Sequence, residues 1–332
     1  MNYPMSAISA LNKNNINIII CQNLNKGINS YSYLLIDNKN NKYFLKIFLR
    51  NQINKHDRFK SELSFSNFLL INKFNNTPEI LFHNKSQSWI VYKWIEGKRI
   101  SRISKNHVEK LLQFLLSINN PKLKNCYLPL ASEACFSLIE HKNLIYKRID
   151  NTLSFLNQIN LENKDEIIKN IRDRCTTINN YFPNKNNDKE GFFTSALKNH
   201  QRLITPSDVG FHNILVNKNQ MYFLDFEYAG IDDPFKLISD LVLQPDYAIP
   251  NEYIYLLNKL IFKFKKDINS FEKKLLIILD LYILKWFCII LNPLIINKNM
   301  EVASKNLILR KVFLYLNNIE NKKNIFIKTL GS

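Results

Sequence analysis

"TPSDVGFHNILV" spans residues 205–216 and "MYFLDFEYAGIDDP" spans residues 221–234. Asp208 stands five positions before Asn213, and Asp225 twelve positions after it. Apolar neighbours flank each of the three, so solvation alone does not explain them. "NILV" and "MYFLD" are short apolar runs separated by the polar "NKNQ", which predicts a small hairpin. Asn213 enters its first strand and Asp225 leaves its second. A tight turn at residues 217–220 returns the chain beside itself and puts both residues at one end, with Asp208 in the loop just before.

Transfer of a phosphoryl group from ATP needs three things close together. A carboxylate must orient the attacking hydroxyl and accept its proton, while an amide oxygen and a second carboxylate hold Mg²⁺ on the phosphates. Asp and Asn are common in turns, and either motif alone would mark only a turn. Together, in order and on a hairpin, the D-x-x-x-x-N and D-F pattern points to phosphoryl-transfer chemistry.

Upstream residues agree. Lys46 interrupts "YFLKIFL", a strand apolar on both faces, and a buried ammonium is costly without a partner. "DRFKSELSFSNFLL" (57–70) has helical spacing, with Asp57 as a cap. Glu62 lies on the same face as Phe59 and Leu63, so it points inward and can supply that partner; an edge-strand lysine in water beside a solvated glutamate is the plainer alternative. In "LNKGINSYS" (24–32), Gly27, Asn29 and Ser30 can bring backbone amides to phosphates, although a lone glycine also suits a plain hairpin turn. "VYKWIEG" (91–97) reads as a connecting hinge, whose backbone at Tyr92 to Trp94 can meet an adenine edge or simply end a core strand.

Strand patterns fall at residues 15–20, 31–36, 42–49, 79–83 and 88–95, with one helix among them. Helical patterns dominate afterwards. One starts behind a cap at Ser104, others run between 128 and 181, and more follow from 235 onward. Strands first and helices later give an α+β chain of two lobes: a small antiparallel-sheet lobe with one helix over residues 1–95, and a large, mostly helical lobe over 96–332. The most apolar run, residues 275–291, contains Asp280 and Lys285 and falls short of the ~20 residues a membrane span needs, so it reads as a buried helix.

The quoted stretches, with "NKGINS", "YFLK", "SEL", "YKWIEG" and "DDP" in order, resemble the aminoglycoside phosphotransferase/choline kinase family, which has a protein-kinase-like fold. "PSDVGFHN", "LDFEYAG" and "LKWFCIILN" (284–292) also resemble a broadly defined phosphotransferase branch. The resemblance implies an ATP- and Mg²⁺-dependent enzyme. Asp208 would be its catalytic base, Asn213 and Asp225 the metal ligands, Lys46 the contact to the α/β-phosphates and Glu62 the holder of Lys46. Three positions depart from the pattern. Pro206 stands where the group usually has His, Glu227 stands where protein kinases have Gly, and the phosphate loop has a single glycine. Only seven residues separate Asp225 from Asp233, and no A-P-E segment follows, so the acceptor is expected to be a small hydroxyl-bearing molecule rather than a peptide.

Composition narrows the rest. With 332 residues and 46% hydrophobic content, the chain can build substantial cores. The net charge of +18 comes from lysines scattered among asparagines, as AT-rich coding would produce, so no nucleic-acid partner is expected. Residues 251–332 carry 14 Lys plus Arg against 6 Asp plus Glu, a difference of +8. That suits a neutral or anionic acceptor such as a sugar better than a polycation; amino alcohols and aminoglycoside-like compounds complete the set. Asp280, Lys285, Trp286 and His212 are possible pocket residues or core and loop braces, while Asp233 and Asp240 fit the geometry of the large lobe. Five cysteines without a CxxC pair fit a reducing cytoplasm, and the first twenty residues lack a signal-peptide pattern. Two other readings share these features: a nucleotide-binding protein of the same fold without transfer activity, and a basic nucleic-acid binder.

Overall fold

The computed structural model describes residues 3–26, 29–49, 56–159, 161–182, 188, 191–297 and 300–330. Its first part holds α1 (Tyr3–Lys13), β1 (Ile18–Lys26), β2 (Ser30–Asp37), β3 (Lys42–Phe48), α2 (Arg58–Ile71), β4 (Ile80–Asn84) and β5 (Trp89–Lys93). The five strands form one antiparallel sheet in the order β1-β2-β3-β5-β4.

Strand β3 shows why its sequence does not alternate. Tyr43, Leu45 and Ile47 enter a core with Ala7 and Leu11 of α1, Leu35, Trp89 and Val91. Phe44 and Phe48 point the other way, to Phe59 of α2, Ile90 and Tyr92. A sheet covered on both faces needs apolar residues at every position, and the pleat carries Lys46 to the α2 side. Helix α1 corrects the sequence reading, which had the chain start with a strand and allowed one helix in this part. At 11 residues α1 is too short to be stable alone. Ala7 and Leu11, one turn apart, hold it on the sheet, and the Trp89 indole donates to Ser6 Oγ at 3.1 Å. β1 also starts later and runs further than expected, to Lys26, with two register shifts. Residues 24–26 and 30–32 are therefore strand. Asp57 caps α2 by accepting from the Lys60 N–H.

Residues 94–97 lead to β6 (Lys98–Arg99), which pairs with β8 (Ile214–Asn217); β8 pairs with β9 (Gln220–Phe223). A second ribbon joins β7 (Leu203–Thr205) to β10 (Gly230–Asp232). Gly230 is needed there, because a Cβ would stand 2.3 Å from the Pro129 carbonyl oxygen. The helices are α3 (Lys105–Ile118), α4 (Leu138–Gln158), α5 (Lys164–Tyr181), α6 (Pro234–Leu243), α7 (Asn258–Lys265), α8 (Phe271–Ile296) and α9 (Val302–Leu330). Ser104 and His107 form a reciprocal cap at the start of α3.

The large core surrounds α8, which packs on α4, α5, α6 and α9. With 26 residues α8 is longer than its apolar run, and by length and composition it is the one helix among the described residues that could cross a membrane. In the fold, 78% of its most apolar window is buried inside the protein. Its polar residues are paired: Asp280 accepts from Tyr181 at 2.9 Å and from Lys323, while Lys285 and Trp286 both donate to Asp240. The chain has six glycines, and left-handed turn positions fall instead to Asn15, Asn40, Lys73, Ser88 and Lys218.

Candidate active site

The β8–β9 register pairs Ile214 with Phe223, and the Leu224 N–H donates to the Asn213 carbonyl at 2.9 Å. Asn213 and Asp225 therefore flank the same end of the ribbon. Phe223 stacks on Phe114 of α3 with ring centroids 4.0 Å apart, which anchors the second strand. Phe226, 1% exposed, packs on Phe65 of α2 at 4.8 Å. Glu62 precedes Phe65 by one helical turn, so this contact fixes Glu62 and Asp225 relative to each other. Asp225 itself has left-handed backbone, φ 64.

Lys46 sits where these elements meet. Its Nζ lies 3.0 Å from Glu62 Oε2, 2.6 Å from Asp225 Oδ1 and 3.1 Å from Glu227 Oε2. Tyr92 donates its hydroxyl to Glu62 Oε1 at 2.8 Å. Arg58 Nε is 3.8 Å from Glu227 Oε1, and this guanidinium nitrogen has no hydrogen-bond partner among the described residues. Lys46, Glu62 and Glu227 are buried, whereas the Asp225 side chain is 44% exposed. Burial works to lower the Lys46 pKa, and Asp225, Glu62 and Glu227 outweigh it, holding the ammonium well above its ordinary value. Burial raises the Glu62 carboxyl against the pull of Lys46. Burial and the Glu62 charge push the Tyr92 phenol well up. Among the described residues two cations, Lys46 and Arg58, face three carboxylates, Glu62, Asp225 and Glu227, and the carboxylate open to solvent is Asp225.

Asp208 lies in the loop before the ribbon, with its side chain 34% exposed. Asn213 donates its amide to the Asp208 carbonyl at 3.2 Å and to Oδ2 at 3.3 Å. His212 Nε2 lies 3.3 Å from the same Oδ2, and its ring packs at a tilt against Tyr247, with centroids 4.6 Å apart. With the amide nitrogen of Asn213 engaged, its oxygen is the atom left to act as a metal ligand. Among the described residues no group of three or more His, Cys, Asp or Glu is arranged to hold a metal. One carboxylate and one carboxamide oxygen are hard donors, and they fit Mg²⁺, which completes its shell with water and phosphate oxygens.

The other residues singled out by sequence are placed as follows. Tyr92 is hydrogen-bonded into the sheet on both sides, opposite Phe44 and Ile80, and it is its side chain that reaches Glu62. The Trp94 N–H donates to the Lys42 carbonyl at 3.3 Å, and its indole lines a cleft of about 690 Å³ with Ser66, Pro78 and Tyr222. Ser30 opens β2 opposite Phe48. Asn29 reaches away from the sheet, donating to Glu227 Oε1 at 3.2 Å and to the Tyr228 hydroxyl at 2.6 Å. Gly27 lies outside the described residues. Sequence reasoning passed over Arg58, Glu227 as a partner of Lys46, and Tyr228. An acid between Phe226 and Tyr228, in a run that must be buried, was the available signal for Glu227.

A second ionic cluster lies in the large lobe. Lys236 donates to Asp232 Oδ2 at 2.7 Å, to Ser207 Oγ at 3.2 Å and to the Ser132 carbonyl. Asp233 caps α6 by accepting from the Lys236 N–H at 2.8 Å, and it bonds His141, which meets Tyr282 at 3.1 Å.

No protein-family model matches the chain, and no curated protein matches it. Solved structures do. A choline kinase from Cryptosporidium parvum Iowa II superposes with a TM-score of 0.58 at 13% identity, covering 98% of both chains. Plasmodium vivax ethanolamine kinase gives 0.53 at 15% identity over 91% of this chain and 84% of that one. A thermostable mutant of aminoglycoside phosphotransferase APH(4)-Ia, in ternary complex with AMP-PNP and hygromycin B, gives 0.51 at 11% identity over 98% of both. Taken with the element order and the paired ribbon, these likenesses show that the chain has the two-lobed, protein-kinase-like fold of the choline kinases and aminoglycoside phosphotransferases.

Proposed function

We propose that this protein is a phosphotransferase that moves the γ-phosphoryl group of ATP to a hydroxyl of a small molecule. The observation that carries the reading is Lys46, a buried ammonium that joins Glu62 of the small lobe to Asp225 at the end of the β8–β9 ribbon. In such a site Lys46 draws the α- and β-phosphates and Glu62 keeps it aimed. Asp208 orients the acceptor hydroxyl and takes its proton as the new O–P bond forms and the bond to ADP breaks. Asn213 and Asp225 hold Mg²⁺, which when bound neutralises charge on the phosphates. Residues 1–95 hold the nucleotide, and the helices of residues 96–332 wall the acceptor. The basic balance of residues 251–332 favours a neutral or anionic acceptor, with sugars ahead of aminoglycosides. All five cysteines are free, which suits a cytoplasmic enzyme.

The test is a panel of sugars, amino alcohols and aminoglycosides with Mg²⁺-ATP, reading ATP consumption and phosphorylated product. On the best acceptor, Asp208→Ala is expected to lower turnover by roughly 10²–10⁴ with nucleotide affinity unchanged. Undiminished turnover would remove Asp208 from its role. A wild-type protein inert with every acceptor would remove the reading itself.

A further inference from the structure

We infer that Lys236, on α6, is the positioning residue that holds the Asp208 loop in its working geometry; this rests on the phosphotransferase reading above. The loop needs an outside brace. Pro206 occupies the place where the resembling family usually carries a histidine, and proline offers no side-chain donor. The bonds within the segment are local, and the longest, from the Asn213 amide to the Asp208 carbonyl at 3.2 Å, spans five residues. The Asp208 N–H donates to the Pro206 carbonyl at 2.9 Å, and the Val209 N–H to the Ser207 carbonyl at 3.0 Å. Ser207 carries left-handed backbone, φ 67, which surrounding contacts must enforce.

Lys236 supplies that enforcement. Its three ammonium protons go to Asp232 Oδ2, the Ser207 hydroxyl and the Ser132 carbonyl, which uses the full donor capacity of the group. Asp232 is 1% exposed and Lys236 3% exposed, so the pair is fully inside the protein. Neutralising Asp232 would need one of those bonds. The other two tie together the loop carrying Asp208 and the strap at residues 129–134, which crosses β10 where the Ala131 N–H donates to the Ile231 carbonyl at 2.9 Å. One buried cation thus pins the residue next to Asp208 to two other segments of the large lobe. Loss of such a pin changes how the carboxylate is aimed, while the nucleotide contacts around Lys46 stay as they are. Displacements of about 1 Å at a reacting group cost roughly 10²-fold in rate.

Lys236→Met alone would strand the Asp232 charge inside the protein, so the test uses Asp232→Asn with Lys236→Met, which removes both charges together. Amide hydrogen exchange is measured on the full chain, alongside kcat and the KM for ATP. Expected are faster exchange in residues 203–213, unchanged exchange in α8, and kcat lower by roughly 10²-fold with KM for ATP within about twofold. Ser207→Ala is expected to lower kcat in the parent and to add nothing in the double variant. Unchanged exchange in residues 203–213, or a Ser207→Ala effect that adds in full, overturns the assignment. Hydrogen exchange needs no turnover, so a parent inert on the acceptor panel would refute the phosphotransferase reading while the brace itself is still decided.

Discussion

Two buried ammonium groups, Lys46 and Lys236, sit in clusters that differ in one respect. Around Lys236 the ionic partner Asp232 is 1% exposed, and every ammonium proton has an acceptor inside the protein. Around Lys46, among the described residues, three carboxylates face two cations, and one of the three, Asp225, is 44% exposed. A sealed cluster, in which Asp232 and Asp233 are both 1% exposed, costs desolvation and returns geometry. A cluster with one wet carboxylate leaves a ligand within reach of a cation from solvent, as the proposed role of Asp225 requires. The comparison teaches that burial of the ammonium alone does not separate architecture from proposed chemistry; the access of a carboxylate to solvent does.

Breaking the open cluster at its wet end should have the largest effect. Asp225→Ala is expected to abolish the Mg²⁺-dependent part of nucleotide binding and to lower turnover by roughly 10³-fold or more, since a bound cation supplies several kcal/mol to the transition state. Titrating ATP with and without Mg²⁺ by thermal shift checks it, and an unchanged Mg²⁺ response would show that the metal sits elsewhere. Glu62→Gln comes next, with turnover down by roughly 10–10²-fold as Lys46 loses its orienting partner. The same variant has a pH signature. Burial raises the folded-state pKa of Glu62 above its unfolded value. Its contribution to stability is therefore complete below the unfolded pKa and is lost as pH rises through the folded one. Wild-type stability declines over that window and the Gln variant lacks the decline. Urea midpoints of both proteins from pH 4 to pH 8 would show the difference, and parallel curves would place Glu62 in a wetter setting than the fold gives it. Tyr92→Phe sharpens the contrast most gently. It leaves Glu62 Oε1 one donor short, for a stability loss of about 1–3 kcal/mol and a rate change within about tenfold. A loss as large as that of Glu62→Gln would mean that the phenol also holds ligand.

How much of this was legible in the sequence follows from the range of the contacts. The β8–β9 ribbon, the Asp57 cap and the Ser104 cap are local patterns and stand where spacing put them. Helix α1 was hidden because its two core residues, Ala7 and Leu11, leave too thin a stripe to outweigh the strand signal that follows. The continuation of β1 to Lys26 was hidden by polar residues, since Gln22, Asn23 and Asn25 pair in β1 although asparagine is a poor strand former. Contacts such as Asn29 to Tyr228 and Lys236 to Ser132 join residues roughly a hundred to two hundred positions apart and leave no period to read. The hinge side chains needed the register: only the pairing of Tyr92 with Phe44 shows that its ring points at Glu62.

The scarcity of glycine has an outcome of its own. Left-handed backbone costs an ordinary L-residue about 1–2 kcal/mol, and this chain accepts it at Asn40 and Lys218, far from any proposed chemistry, as well as at Ser207 and Asp225. At the remote turns glycine would relax that tension without removing a side chain of the proposed site. At Ser207 and Asp225 the same twist carries a hydroxyl and a carboxylate, so glycine there would ease the backbone and remove the groups that the proposed chemistry uses.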